Sequence, residues 1–152
     1  MKKSLIVFCL MCIACVSAQG WAGVNWQTDY ASAMNQAAST GKPVILFFTG
    51  SDWCGWCSKL DSEVLETDEF ARLVGDKFIF VKVDFPLYKP QDPQLTAANK
   101  ALQEKYDVRG FPALIIVDKT GRQIGVTGYR AGGPKLYADH LLEKTDLFSS
   151  LN

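Results

Sequence analysis

Val44, Ile45, Leu46, Phe47 and Phe48 form an unbroken apolar run, opened by Lys42-Pro43 and closed by Thr49-Gly50. A strand apolar on both faces must be covered on both, so it belongs in the middle of a sheet with other layers on either side. A short loop follows, and then Trp53-Cys54-Gly55-Trp56-Cys57. The spacing of Leu60, Val64 and Leu65 beyond it is helical. Strand, turn and helix in that order place Cys54 at a helix N-terminus, where orphan N–H groups and the positive end of the helix dipole favour a thiolate. Cys57 falls three residues on, on the same side of the first turn, so the two sulfurs can bond reversibly. A thiol pair in this setting reads as redox chemistry.

The first eighteen residues read as a signal peptide, not as structure. Lys2 and Lys3 form a positive n-region, residues 5–16 are mostly apolar and short for a membrane span, and Val16-Ser17-Ala18 fits a cleavage site. Cleavage after Ala18 and delivery to the periplasm or exterior are expected. Ala14-Cys15 is similar to the end of a lipobox, but Cys12 stands where Leu is usual, so lipidation at Cys15 ranks below simple cleavage. Removing this segment takes away Lys2 and Lys3, leaving 14 basic against 16 acidic residues. It also takes Cys9, Cys12 and Cys15, leaving Cys54 and Cys57 with only each other as intramolecular partners in a compartment where disulfides form readily. Stability then has to come from an apolar core, for which the 48% apolar content and four Trp suffice. The charge balance gives no pointer to nucleic acid, and none is expected as a partner.

Residues 19–27 read as a loose N-terminal segment from which Trp26 docks on the domain, and 28–149 as one domain. Tyr30, Ala33, Met34 and Ala37 mark one face of a helix capped by Thr28 or Asp29 and ended by Gly41. Ser51 or Asp52 is expected to cap the helix after Cys54, which should run to about Glu66 with Lys59 and Glu63 paired on its wet side. Asp68 and Glu69 open a short helix stopped by Gly75. Residues 78–83 form a second buried strand. The stretch from Pro86 to Pro93 is a proline-punctuated loop, leading into a helix with Leu95, Ala98 and Leu102 on one face. Strands at 113–117 and 123–127 flank the turn Asp118-Lys119-Thr120-Gly121, and Gly132-Gly133-Pro134 starts a final helix. Early strands separated by helices imply parallel pairing, and the late hairpin adds an antiparallel edge.

Trp53-Cys54-x-x-Cys57 on a strand–turn–helix, within this order of elements, resembles the thioredoxin family, and more narrowly its exported single-domain oxidoreductases of the DsbH kind. The resemblance covers about residues 26–148. It implies an α/β thioredoxin fold, with a central mixed sheet of parallel strands and an antiparallel hairpin edge flanked by helices. It also implies a cis Pro112 facing the active Cys, with the Phe111 backbone pairing with a client's extended chain, and Gly128 near the same groove. Trp53 and Trp56 are expected to offer apolar contact to clients, Trp53 packed in part and Trp56 on the rim. One departure stands out. The family's buried acid in the strand before the active site is absent, because its candidate positions are Phe47 and Phe48. Proton transfer from Cys57 is left to water, another carboxylate or nothing dedicated, with Asp52 and Glu63 reading as a cap and a surface charge.

The expected chemistry is thiol–disulfide exchange, with Cys54 as the exposed nucleophile and Cys57 buried beneath it as the resolving thiol. A bridge across so short a loop gains little chain entropy, which argues against a purely structural role. Zinc lacks ligands, since His140 lies in the far C-terminal helix. No cofactor and no resident metal are expected, although a copper(I) carrier using the two thiolates is the alternative of a different class. Gly55 and Trp56 between the cysteines bring no charge that would stabilise a thiolate strongly. That points to a reducing or intermediate potential, with oxidase or isomerase action as the alternative. Partners would be client proteins with disulfides and a membrane thiol–disulfide electron donor, the protein itself being a monomer.

Overall fold

The computed structural model describes residues 23–150, with side chains to 146. The expected signal peptide and its three cysteines lie outside the described residues. The elements are β1 (Trp26–Gln27), α1 (Tyr30–Thr40), β2 (Val44–Thr49), α2 (Gly55–Leu60), a π-helical stretch (Asp61–Leu65), α3 (Asp68–Val74), β3 (Ile79–Asp84), α4 (Pro93–Lys105), β4 (Ala113–Val117), β5 (Gln123–Thr127) and α5 (Gly133–Ser150).

The strands form one mixed sheet in the order β1-β3-β2-β4-β5. β3 pairs in parallel with both β1 and β2, while β4 is antiparallel to β2 and to β5. Every residue of β2 is buried, as expected of a strand with no polar face. Its side chains alternate between two cores. Ile45 and Phe47 point to the layer of α2, α3 and α5, where Leu60, Phe70 and Tyr137 lie. Val44, Leu46 and Phe48 point to α1 and α4, meeting Ala33, Ala37 and Leu102. Small Ala33 and Ala37, both fully buried, let α1 approach the sheet closely. Helix α1 starts at Asp29, whose carboxylate accepts the Ala31 and Ser32 N–H groups. It stops at Gly41, whose positive φ of 75° suits glycine.

Three local expectations need correction. Trp26 and Gln27, placed in a loose segment, form an edge strand with Trp26 opposite Phe80 and Gln27 opposite Val81. Two residues carry no readable alternation, so the strand exists only because β3 offers an unpaired edge. The helix after Cys54 is not uniform: it widens from α to π geometry at Asp61, and Glu66 N–H reaches the Asp61 carbonyl. On α4 the buried position is Asn99 rather than Ala98. Asn99 is tolerated there because its Nδ2 donates to the Asp84 carbonyl at 2.9 Å.

Candidate active site

Strand β2 delivers the chain to Gly50, whose carbonyl accepts the N–H groups of Trp53 (3.3 Å) and Cys54 (2.9 Å). A Cβ at Gly50 would run into the Trp53 indole, so the glycine is what lets that ring fold back over the turn. Cys54 is the N-cap of α2, and its Sγ accepts the Cys57 N–H at 3.3 Å. The expected caps, Ser51 and Asp52, are used elsewhere, because the turn aims both at the end of β3. Ser51 donates through its N–H (2.9 Å) and Oγ (2.6 Å) to the Asp84 carboxylate. The Asp52 carboxylate gathers the N–H groups of Leu87, Tyr88 and Lys89 at 2.8–2.9 Å. Partial desolvation pushes the Asp52 carboxyl up, but these three bonds outweigh it and hold the group below the usual carboxylate range.

Cys54 and Cys57 are joined as a disulfide with their Cα atoms 5.3 Å apart. Cys57 is 1% exposed, and Cys54 is 7% exposed. The expectation of an exposed Cys54 is therefore corrected. In the bonded state its sulfur is turned into the first helical turn and joins the core around α2. What exposure remains favours Cys54 over its partner.

The register of β4 brings the third segment into place. Ala113 lies opposite Phe48, so the residues before it sit beside the end of β2 from which the cysteine loop departs. The Phe111–Pro112 peptide bond is cis. The Phe111 ring lies 5.9 Å from Trp53 and stacks on Phe85 at 5.2 Å. Trp53 Nε1 donates to the Phe85 carbonyl at 2.8 Å. On the other flank, Trp56 packs against Tyr129 at 5.0 Å, and the Tyr129 hydroxyl donates to Glu63, which also pairs with Lys59 at 2.8 Å. Both indoles are exposed, Trp53 at 45% and Trp56 at 59%. Gly128 lies against the Pro112 carbonyl, 3.1 Å from where a Cβ would stand.

Below the pair, Phe47 faces Lys82 across the β2–β3 ladder. On the helix side the first carboxylate after Cys57 is that of Asp61. Asp61 N–H bonds to the Cys57 carbonyl, placing this residue one turn after Cys57. Its carboxylate is 3.7 Å from Lys82 Nζ, and its Oδ1 is buried without a hydrogen-bond partner. Burial pushes its carboxyl above the usual range; Lys82 pulls it back only in part, and Glu66 and Asp84 push it further. An acid whose folded pKa is raised favours the native state below its ordinary value, and that advantage is lost as pH rises through the folded value. Asp61→Asn is therefore expected to gain stability relative to the parent as pH rises from 4 to 8, read as the difference in urea midpoints across that range.

Sequence reasoning missed Tyr129, Phe85, Asp84 and Asp61. None lies within three residues of a cysteine; Tyr129, Phe85 and Asp84 reach the site only through the tertiary fold, and Asp61 by lying one helical turn beyond Cys57. The one available signal was the i, i+4 spacing of Cys57 and Asp61. His140, by contrast, bonds Thr127 Oγ1 at 3.0 Å on the C-terminal helix. Among the described residues no group of three His, Cys, Asp or Glu is placed to hold a metal ion.

A family model described as a thioredoxin-like domain matches residues 30–138. The disulfide bond reductase DsbH of Chlamydia pneumoniae is 38% identical over 116 residues, covering 76% of this chain and 69% of that protein. The thioredoxin-related protein DsbJ of the same organism is 35% identical over 109 residues, covering 72% of this chain but only 30% of the relative. Among solved structures, DsbH oxidoreductase superposes with a TM-score of 0.79 at 36% identity, covering 83% of this chain and 87% of that one. The reduced C-terminal domain of Neisseria meningitidis DsbD shares the fold, with a TM-score of 0.58 at 22% identity, covering 79% of this chain and 99% of that one.

Proposed function

Because the chain belongs to the thioredoxin-like family and is a thiol–disulfide oxidoreductase, we propose that it works as an exported reductase that opens disulfides in client proteins. The observation that carries this reading is the Cys54–Cys57 bond at the start of α2, with the slightly less buried cysteine first and the fully buried one behind it. In the reduced protein the Cys54 thiolate attacks one sulfur of a client disulfide. The client S–S bond breaks, a Cys54–client bond forms, and the departing client sulfur takes up a proton. Cys57 then gives up its proton and attacks the Cys54 sulfur, re-forming the internal bond and releasing the second client thiolate. The pair loses two electrons and the single proton of Cys57; the client gains the two electrons, one proton from solvent on its first sulfur and the proton released by Cys57 on its second. Asp61, a half-buried carboxylate one turn beyond Cys57, is the group we assign to receive the Cys57 proton. Trp53, Trp56, Phe111 and Pro112 frame the approach to Cys54.

The reducing direction rests on the uncharged Gly55 and Trp56 between the thiols, and on the name of the DsbH relative. The exported location rests on the signal-peptide pattern of residues 1–18. A membrane thiol–disulfide carrier would return the pair to the dithiol. Three measurements test the reading. The reduced protein should precipitate insulin by cleaving its disulfides. Equilibrium with glutathione should give a reducing or intermediate potential. A potential among the strongest oxidants would transfer the assignment to oxidase or isomerase. Tight, stoichiometric copper(I) binding without insulin cleavage would transfer it to metal carriage.

A further inference from the structure

The loop after β3 contains Leu87 and Tyr88, two adjacent apolar side chains that are 67% and 80% exposed. Single exposed apolar residues are ordinary. Here the backbone that carries them is fastened to the cysteine loop itself. Leu87, Tyr88 and Lys89 donate to Asp52, Trp53 donates to Phe85, and Phe85 N–H bonds the Thr49 carbonyl at 2.9 Å. Pro86 and Pro90 stiffen the same stretch. A connector needs none of this. A surface that holds two bulky groups in water, on a backbone already ordered, lowers the entropy cost of receiving a ligand.

The patch is also continuous with the site. Trp53 adjoins Cys54 and contacts Phe111, Phe111 stacks on Phe85, and Leu87 follows two residues later. Asp52, whose carboxylate takes the Leu87 and Tyr88 N–H groups, is two residues from Cys54, at most about 7 Å along the chain. We propose that Leu87 and Tyr88 form a recognition arm for an extended client segment whose disulfide is flanked by bulky apolar residues, as in an unfolded or incompletely folded protein. The arm selects clients whose core residues are still exposed and leaves alone disulfides set among small polar ones. This deepens the reductase reading and rests on it.

The test uses two synthetic peptides, each with one intramolecular disulfide and identical except that the residues beside the cystine are Phe and Leu in one and Gly and Ser in the other. Second-order rates of reduction by the dithiol protein are compared for the parent and for a Leu87→Ser/Tyr88→Ser variant, with glutathione disulfide as a third substrate. The parent should prefer the apolar peptide by about tenfold or more, and the variant's ratio should fall toward one. Equal rates in the parent, or a preference intact in the variant, overturn the inference while the reductase reading stands. A parent that reduces none of the three overturns both. A concentration-dependent dimer that the variant dissolves, with the peptide preference unchanged, overturns it in favour of self-association.

Discussion

Cys57→Ser is expected to halt the cycle halfway and leave the protein covalently joined to its clients through Cys54. The serine hydroxyl cannot displace a sulfur at neutral pH, so turnover with insulin should fall by more than about 10³-fold while the first bond exchange persists. Cys54→Ser should abolish turnover to the same extent but trap nothing, because the remaining Cys57 is 1% exposed in the parent fold. Mass spectrometry of adducts released by dithiothreitol reads both results and names the clients. If Cys57→Ser accumulates no adduct in cells while the folded protein is present, or if adducts form on Cys57 in the Cys54 variant at similar yield, the assignment of roles fails. Both substitutions remove a bridge that closes only a few residues, so little chain entropy is lost with it and the fold should survive. That separates the chemical effect from unfolding.

Phe80→Ala should produce the largest loss of stability. Phe80 is 2% exposed and stands where β1, β3 and α3 meet. Its ring lies 5.4 Å from Trp26, 6.2 Å from Phe70 and 6.2 Å from Phe78. Truncating a buried Phe costs about 3–5 kcal/mol through lost burial and the cavity left behind. Against a total of about 5–15 kcal/mol for a domain, that is about a fifth or more of the margin. The urea midpoint of the oxidised protein should drop by about 2 M, given a slope near 2 kcal/mol per molar. The expected contrast is Leu87→Ser, which removes an apolar group of comparable character from solvent and should change the stability by no more than about 0.5 kcal/mol. A Phe80→Ala variant within 1 kcal/mol of the parent would mean that β1 and α3 are not held through this ring cluster.

The elements legible in the sequence were those with a local cause. The central strand β2 is apolar at every position from Val44 to Phe48, and as a strand it has to be covered on both faces. Helix α1 carries its own cap and stop in Asp29 and Gly41, α3 its acidic first turn, α4 its Asp92-Pro93 start, and the hairpin its Asp118–Gly121 turn. The cysteine pair was legible for the same reason, since its spacing and the helix that follows lie within a dozen residues. β1 was not. Its two residues pair with a strand more than fifty positions away, and nothing in them but Trp26 marks a strand.

The sequence by itself determined which thiols pair, because two thiols three positions apart at a helix start need no distant help to find each other. It also determined that the sheet would be covered on both faces. Only the tertiary structure decided how those atoms are presented. It set Cys54 nearly as deep as its partner in the bonded state and made that sulfur its own helix cap. It turned Ser51 and Asp52 away to hold the end of β3 and the following loop. It placed Asp61 against Lys82, where the sheet itself carries Phe47. For Ser51, Asp52 and Asp61 the reason is the same. A side chain's partner is set by which donor or charge the packed neighbours leave within reach, and for these three that depends on strand register and helix approach rather than on the next residues along the chain.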